Sequence, residues 1–218
     1  MIIDHDNRHY RYKWNRMGTA RFNGAFYYSK EIVKNIIPNV VTDRNWMTVN
    51  MQGIGVDHSI VFVHNNLHPE RYEWLRKFDD VVLVCSLKET CERVAHIGRP
   101  IYLPLSIDVK AVRQFRLKKE DRHGIAFAGR PEKRTLDGIV LPQVDIIENK
   151  PRQEFLKTMA HYEFIFAVGR TAIEAKALGC RLLPYDRRFP KTSVWKVLDN
   201  RDAAKILQER LDETDGRI

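Results

Sequence analysis

The stretch Phe164-Ile165-Phe166-Ala167-Val168-Gly169-Arg170-Thr171-Ala172-Ile173-Glu174-Ala175-Lys176-Ala177-Leu178-Gly179-Cys180-Arg181-Leu182-Leu183-Pro184 most narrows what this chain can fold into. It reads as an apolar strand, a glycine turn, a helix, a capping glycine and a second apolar strand, which is one βαβ unit. The strands of such a unit are parallel, and parallel sheets occur with helices on their faces. The same alternation runs along most of the chain. Strands are expected at 46–51, 59–64, 81–85, 100–105, 125–128, 144–147, 164–168 and 181–184. Helices are expected at 70–78, 87–96, 152–160, 172–178 and 203–211. A glycine loop at Gly24 feeds a further helix that Pro38 ends. The charged segment 108–124 has little strand character and separates two halves, 1–110 and 111–218. The expected class is α/β with two parallel-sheet halves.

With 44% hydrophobic and 30% charged residues over 218 positions, the chain can bury a real core. Disorder and collagen-like repeats are therefore excluded. No apolar run reaches the ~18 residues of a membrane span. The N-terminus lacks the basic-then-apolar order of a signal peptide, so a soluble cytoplasmic protein is expected. Three cysteines, Cys85, Cys91 and Cys180, form no CxxC pair and read as buried thiols rather than a disulfide or zinc framework. Asp4-His5-Asp6 reads as a solvated end, so no metal site is indicated.

The formal net charge of +9 is gathered in two places. From Asn7 to Lys30 there is no acidic residue, and Arg8, Arg11, Lys13, Arg16 and Arg21 alternate with His9, Tyr10, Tyr12, Trp14 and Phe22. A second cluster comprises Arg113, Arg116, Lys118, Lys119 and Arg122, then Arg130, Lys133 and Arg134. Each reads either as a solvated amphipathic surface or as a footprint for polyanions.

In an open parallel sheet, ligands bind where the chain leaves a strand's carboxyl end. The turn at Gly169 opens a helix there, whose free N–H groups and dipole suit a phosphate. Thr171 is placed to cap that helix. Arg170 adds a charged donor, and Glu174 lies about one turn further on. Neither GxGxxG nor the Walker lysine pattern is present.

Glu174-Ala175-Lys176-Ala177-Leu178-Gly179-Cys180, after its strand and loop, resembles the donor-binding signature of GT-B glycosyltransferases. Those enzymes have two Rossmann-like halves and bind a nucleotide sugar in the cleft between them. Ile125-Ala126-Phe127-Ala128-Gly129-Arg130-Pro131-Glu132-Lys133 resembles the strand and loop that grip the diphosphate. Val144 to Ile147 is similar to the segment whose backbone receives the base. Ile60-Val61-Phe62-Val63-His64 resembles the strand ending in a site histidine. The likeness covers most of residues 59–211. Retaining members commonly carry two glutamates eight positions apart. Glu174 matches the second, and Phe166 stands at the first.

The resemblance implies a metal-independent transfer of a sugar from a nucleotide-diphosphate sugar, such as UDP-glucose, to an acceptor hydroxyl, with no cofactor. It implies diphosphate contacts from Arg130, Lys133, Gly169, Arg170 and Thr171, a base contact at Ile147, and a ribose contact at Glu174. His64 is the candidate for the sugar or the base role, with Asp57 weaker. Gly24 lies where the acceptor-side glycine loop falls. The basic N-terminal cluster fits a polyanionic acceptor such as modified nucleic acid; a cell-envelope acceptor and a small molecule stay open. A non-catalytic nucleotide- or nucleic-acid-binding protein is the alternative.

Overall fold

The computed structural model describes residues 2–4, 24–49, 55–63, 68–129, 144–148 and 150–216. The chain is α/β and divides into two compact units. The first runs to Pro104 and resumes at Asn200, and the second spans Leu105–Asp199.

In the first unit five parallel strands lie side by side in chain order: β1 (Ile2–Asp4), β2 (Asn45–Val49), β3 (Ser59–Val63), β4 (Val81–Cys85) and β5 (Arg99–Tyr102). All five residues of β3 and all five of β4 are buried. A strand buried on both faces accounts for their unbroken Val-Ile-Leu character. One face packs Met47, Val61, Val63, Leu83 and Cys85 against Tyr72 and Leu75, which belong to a 3-10 helix, Pro69–Lys77. Val94, from α2 (Lys88–Val94), joins the same cluster. The first helix, α1 (Gly24–Glu31), continues as a π-turn over Ile32–Ile36 and a 3-10 turn over Ile37–Asn39 that contains Pro38.

The last helix, α6 (Asn200–Thr214), packs against that π-turn and belongs to the first unit. Gln208 exchanges two hydrogen bonds with the Val41 backbone, and Asn200 Nδ2 donates to Glu31 Oε2 at 2.9 Å. At its carboxyl end, Arg99 donates to the Thr214 carbonyl at 3.1 Å, and Arg44 donates to Asp215 Oδ1 at 2.7 Å. Cations there complement the helix dipole. Arg44 also pairs with Asp80 Oδ2 at 2.8 Å, and Arg99 pairs with Asp80 as well. His58 completes the cluster, its Nδ1 donating to Asp80 at 2.5 Å and its Nε2 lying 3.2 Å from Asp43. His58 and Asp80 each precede a strand and each has a left-handed backbone, at φ 51° and 52°. Their mutual hydrogen bond holds two conformations that non-glycine residues rarely adopt.

The second unit carries β6 (Ile125–Ala128), β7 (Asp145–Ile147), β8 (Phe164–Phe166) and β9 (Arg181–Leu183), all parallel, in the order β7-β6-β8-β9. Its helices are α3 (Val109–Arg113), α4 (Arg152–Ala160) and α5 (Arg170–Leu178). The ends of the unit are tied together: Ile107 N–H donates to the Leu198 carbonyl at 3.0 Å, and Val109 N–H to Asp199 Oδ2 at 3.1 Å.

Several expectations are corrected. Asp4, expected in a solvated end, closes a strand, Ile2–Asp4, whose backbone pairs with β2, while His5 and Asp6 lie outside the described residues. Gly24 opens α1 instead of lying in a loop ahead of it. The helix expected at 70–78 is present as a 3-10 helix, Pro69–Lys77. Segment 108–124 holds no strand among its described residues, as expected, and carries α3, which Asp108 caps by accepting the Ala111 N–H at 2.8 Å. The closing helix belongs by its contacts with the first unit, where the sequence placed it with 111–218. Cys85 and Cys180 are buried as expected, whereas Cys91 is partly exposed. In the second basic cluster, Arg122 is only 9% exposed and donates to the Gly179 carbonyl and, at 3.3 Å, to the Lys118 carbonyl. It serves the carboxyl end of α5.

Gly179 has φ +89°, and a Cβ there would lie 2.5 Å from the Arg122 guanidinium. Gly179→Ala is expected to cost about 1–3 kcal/mol in urea unfolding. The His58 cluster sets a pH dependence. Its hydrogen bond to Asp80 raises the His58 pKa above 6.5, so its stabilisation is full below about 6.5 and lost as pH rises through the raised value. Although burial acts the other way, hydrogen bonds from His58 and Arg44 hold Asp80 below 3.8; that contribution is lost only as pH falls through the lowered value. Melting temperature followed from pH 4 to 9 is expected to fall on the alkaline side in the native protein and to lose that limb in His58→Gln.

Candidate functional site

The order β7-β6-β8-β9 reverses between β6 and β8: the chain steps from β6 outward to β7, then returns past β6 to β8. At such a reversal the connections leave neighbouring strands toward opposite faces, which opens a crevice at the carboxyl edge. Two glycines stand there. Gly129 follows β6 with φ +154° and donates its N–H to the Ile147 carbonyl at 3.1 Å. Gly169 follows β8 at φ 64°, ψ −139°, a conformation open essentially only to glycine. A Cβ placed on Gly169 would meet no atom within 4 Å, so the space above it is open.

Gly169 is the N-cap of α5 and supplies no side-chain cap. Thr171 is already inside the helix and is not the cap expected of it. Arg170 opens the helix and, at 7% exposure, is buried; its Nε donates to Glu174 Oε1 at 2.6 Å, one turn on. Arg152, the first residue of α4, approaches from the other side with Nη1 to Oε2 at 2.6 Å and Nη2 to Oε1 at 2.5 Å. Glu174 is 1% exposed. Burial pushes its carboxyl toward the neutral form, but the Arg170 and Arg152 charges outweigh this and hold its pKa below the usual range. Both carboxylate oxygens are therefore engaged, and Glu174 fixes the two guanidiniums rather than standing open to a ribose.

Behind this edge, Tyr185 packs edge-on to Phe127 at 5.5 Å and to Phe166 at 6.2 Å between ring centres. Phe166, where a first glutamate is commonly found, is thus part of an aromatic cluster with Val144, Val168 and Leu183 around it.

The expected site residues are brought together unequally. Gly169, Arg170, Thr171, Glu174 and Ile147 share the carboxyl edge of the second sheet. Ile147 is buried, and its carbonyl accepts the Gly129 N–H. His64, Arg130 and Lys133 lie outside the described residues. Asp57 lies at the amino end of β3, where its Oδ1 accepts the Asp79 N–H at 2.9 Å. That is the opposite end of the strand from the edge where such sheets bind ligands, so Asp57 is a structural acceptor. Arg152 was missed: it is 22 residues from Glu174, and only folding brings the two together.

Among the described residues, no helix is long and apolar enough to cross a membrane. Compared with known proteins, the chain matches no family model, no curated protein and no solved structure.

Removing the Glu174 charge leaves two guanidiniums facing each other in a low-dielectric site. Glu174→Gln is expected to cost about 3 kcal/mol in urea unfolding. Arg152→Gln is expected to cost less, because that side chain is 23% exposed.

Proposed function

We propose that the second unit binds a nucleoside diphosphate at the β6/β8 reversal, and that the protein is a metal-independent GT-B glycosyltransferase. The observation that carries this reading is the coincidence, at one strand edge, of the order reversal, the open glycine turn of α5 and the Arg170–Glu174–Arg152 cluster. The positive dipole end at the start of α5 and the nearby guanidiniums suit a diphosphate.

In the transfer, the acceptor oxygen bonds to the sugar's anomeric carbon as the bond from that carbon to the diphosphate breaks. The nucleoside diphosphate leaves with added negative charge, and the acceptor's proton passes to a base. The start of α5, Arg170 and Arg152, with Arg130 and Lys133, which follow β6 in the sequence, meet that charge. Glu174 keeps the guanidiniums in register. His64, following β3, is the candidate to orient the sugar or take the proton. The basic segment 8–21 favours a polyanionic acceptor such as nucleic acid.

A thermal-shift panel of nucleoside diphosphates and nucleotide sugars tests the site. One diphosphate is expected to raise the melting temperature selectively, with affinity about tenfold weaker in Arg130→Ala, since a charged hydrogen bond contributes about 1.5–3 kcal/mol. The matching sugar donor is expected to be hydrolysed slowly without acceptor. Binding without hydrolysis or transfer would make the protein a nucleotide-binding module. No nucleotide shift, together with DNA binding that weakens steeply with salt, would replace the reading with nucleic-acid binding.

A further inference from the structure

The first unit holds a pair of thiols that the glycosyl-transfer reading does not use. Cys85 ends β4 and is fully buried, a member of the apolar cluster of Val61, Val63, Leu83 and Val94. Cys91, on α2, is partly exposed and packs against the same cluster. The two thiols are near enough for each to perturb the other's ionisation. Cys85 Sγ also lies 3.6 Å from the Leu83 carbonyl, to which it can donate. A buried thiol in contact with an accessible one on a neighbouring element is the arrangement of a resolving and an attacking cysteine.

We propose that Cys91 and Cys85 form a site of oxidative modification at which a hydroperoxide converts the two thiols into an intrachain disulfide. The Cys91 thiolate attacks one peroxide oxygen, and the O–O bond breaks. Hydroxide leaves and is protonated to water, and Cys91, two electrons poorer, becomes a sulfenic acid. The Cys85 sulfur then attacks the Cys91 sulfur, and the S–O bond breaks. A second hydroxide leaves and takes up the Cys85 proton as water. Two thiols and one hydrogen peroxide thus give one disulfide and two waters.

The assignment of attacker and resolver follows from burial: Cys85 is fully buried, whereas Cys91 is partly exposed. The neighbouring Cys85 thiol holds the Cys91 pKa below its ordinary value against partial burial and Glu92. The neighbouring Cys91 and burial push the Cys85 thiol up. Cys180, the remaining thiol, is buried in the second unit, and burial pushes its pKa up to about 11, so it is the slow one.

The disulfide closes the turn Ser86-Leu87 and the first residues of α2 at the carboxyl edge of the first sheet. Trypsin cuts after Lys88, between the two cysteines, so the bond joins two separate peptides, 78–88 and 89–93. The full-length folded protein is treated with hydrogen peroxide, blocked with iodoacetamide, digested without reductant and analysed by mass spectrometry. The expected result is a linked 78–88/89–93 pair that dithiothreitol separates. Cys180 should remain alkylatable after unfolding, and Cys91→Ser should yield no linked pair while Cys85 stays reduced. Cys91 recovered as sulfinic or sulfonic acid with Cys85 still a free thiol, or Cys91 joined to a second chain, would overturn the proposal. So would a Cys85 that oxidises at the native rate in Cys91→Ser. None of these readouts involves a nucleotide.

Discussion

Glu174 is almost wholly shut off from water and keeps its charge because two guanidiniums reach it, one from its own helix and one from α4. A carboxylate in that position would otherwise be driven to its neutral form. The triad fixes where α4 and α5 begin relative to each other at one edge of the second sheet. The open glycine turn that leads into α5 inherits its placement from that contact. A site that must hold charge inside a protein needs such mutual orientation, because a loose guanidinium spends its entropy anew for each ligand.

The two sheets differ in a way that composition conceals. In the first, the described strands follow chain order, so among them no pair of neighbours sends its connections to opposite faces. In the second, the reversal at β6 and β8 does so. The first unit's charged cluster of Arg44, His58, Asp80, Arg99 and Asp215 gathers at the amino ends of its strands and secures α6. One cluster of ions secures a helix, whereas the other sits at the strand-order reversal.

Much of the second unit was legible beforehand because its strands and helices are short, strongly patterned and punctuated by glycine. The strand at 125–128 and the helix at 152–160 fall where periodicity put them. The helix after Gly169 begins two residues earlier than expected, since arginine at its first position carries no turn signal. Less was legible where tertiary contact decides. Ile2–Asp4 is too short for its alternation to speak, and only pairing with β2 makes it a strand. Arg122 looked like one charge in a basic run, yet it spends its donors on the end of α5. Glu174 was recognised as important, but its arginine from α4 lies beyond the reach of local spacing.

Because α6 belongs with the first unit, residues 105–199 are an insertion within it. During synthesis those residues leave the ribosome before the helix that packs on the π-turn of Ile32–Ile36. At about 5–20 residues per second the π-turn stays without that cover for roughly 5 to 20 s. The inserted unit, tied at Ile107 and Asp199, has its own closing contact only as Asp199 emerges, one residue ahead of that helix. Both units therefore wait on the same late stretch of chain, and the apolar surface left open meanwhile is what a chaperone would meet.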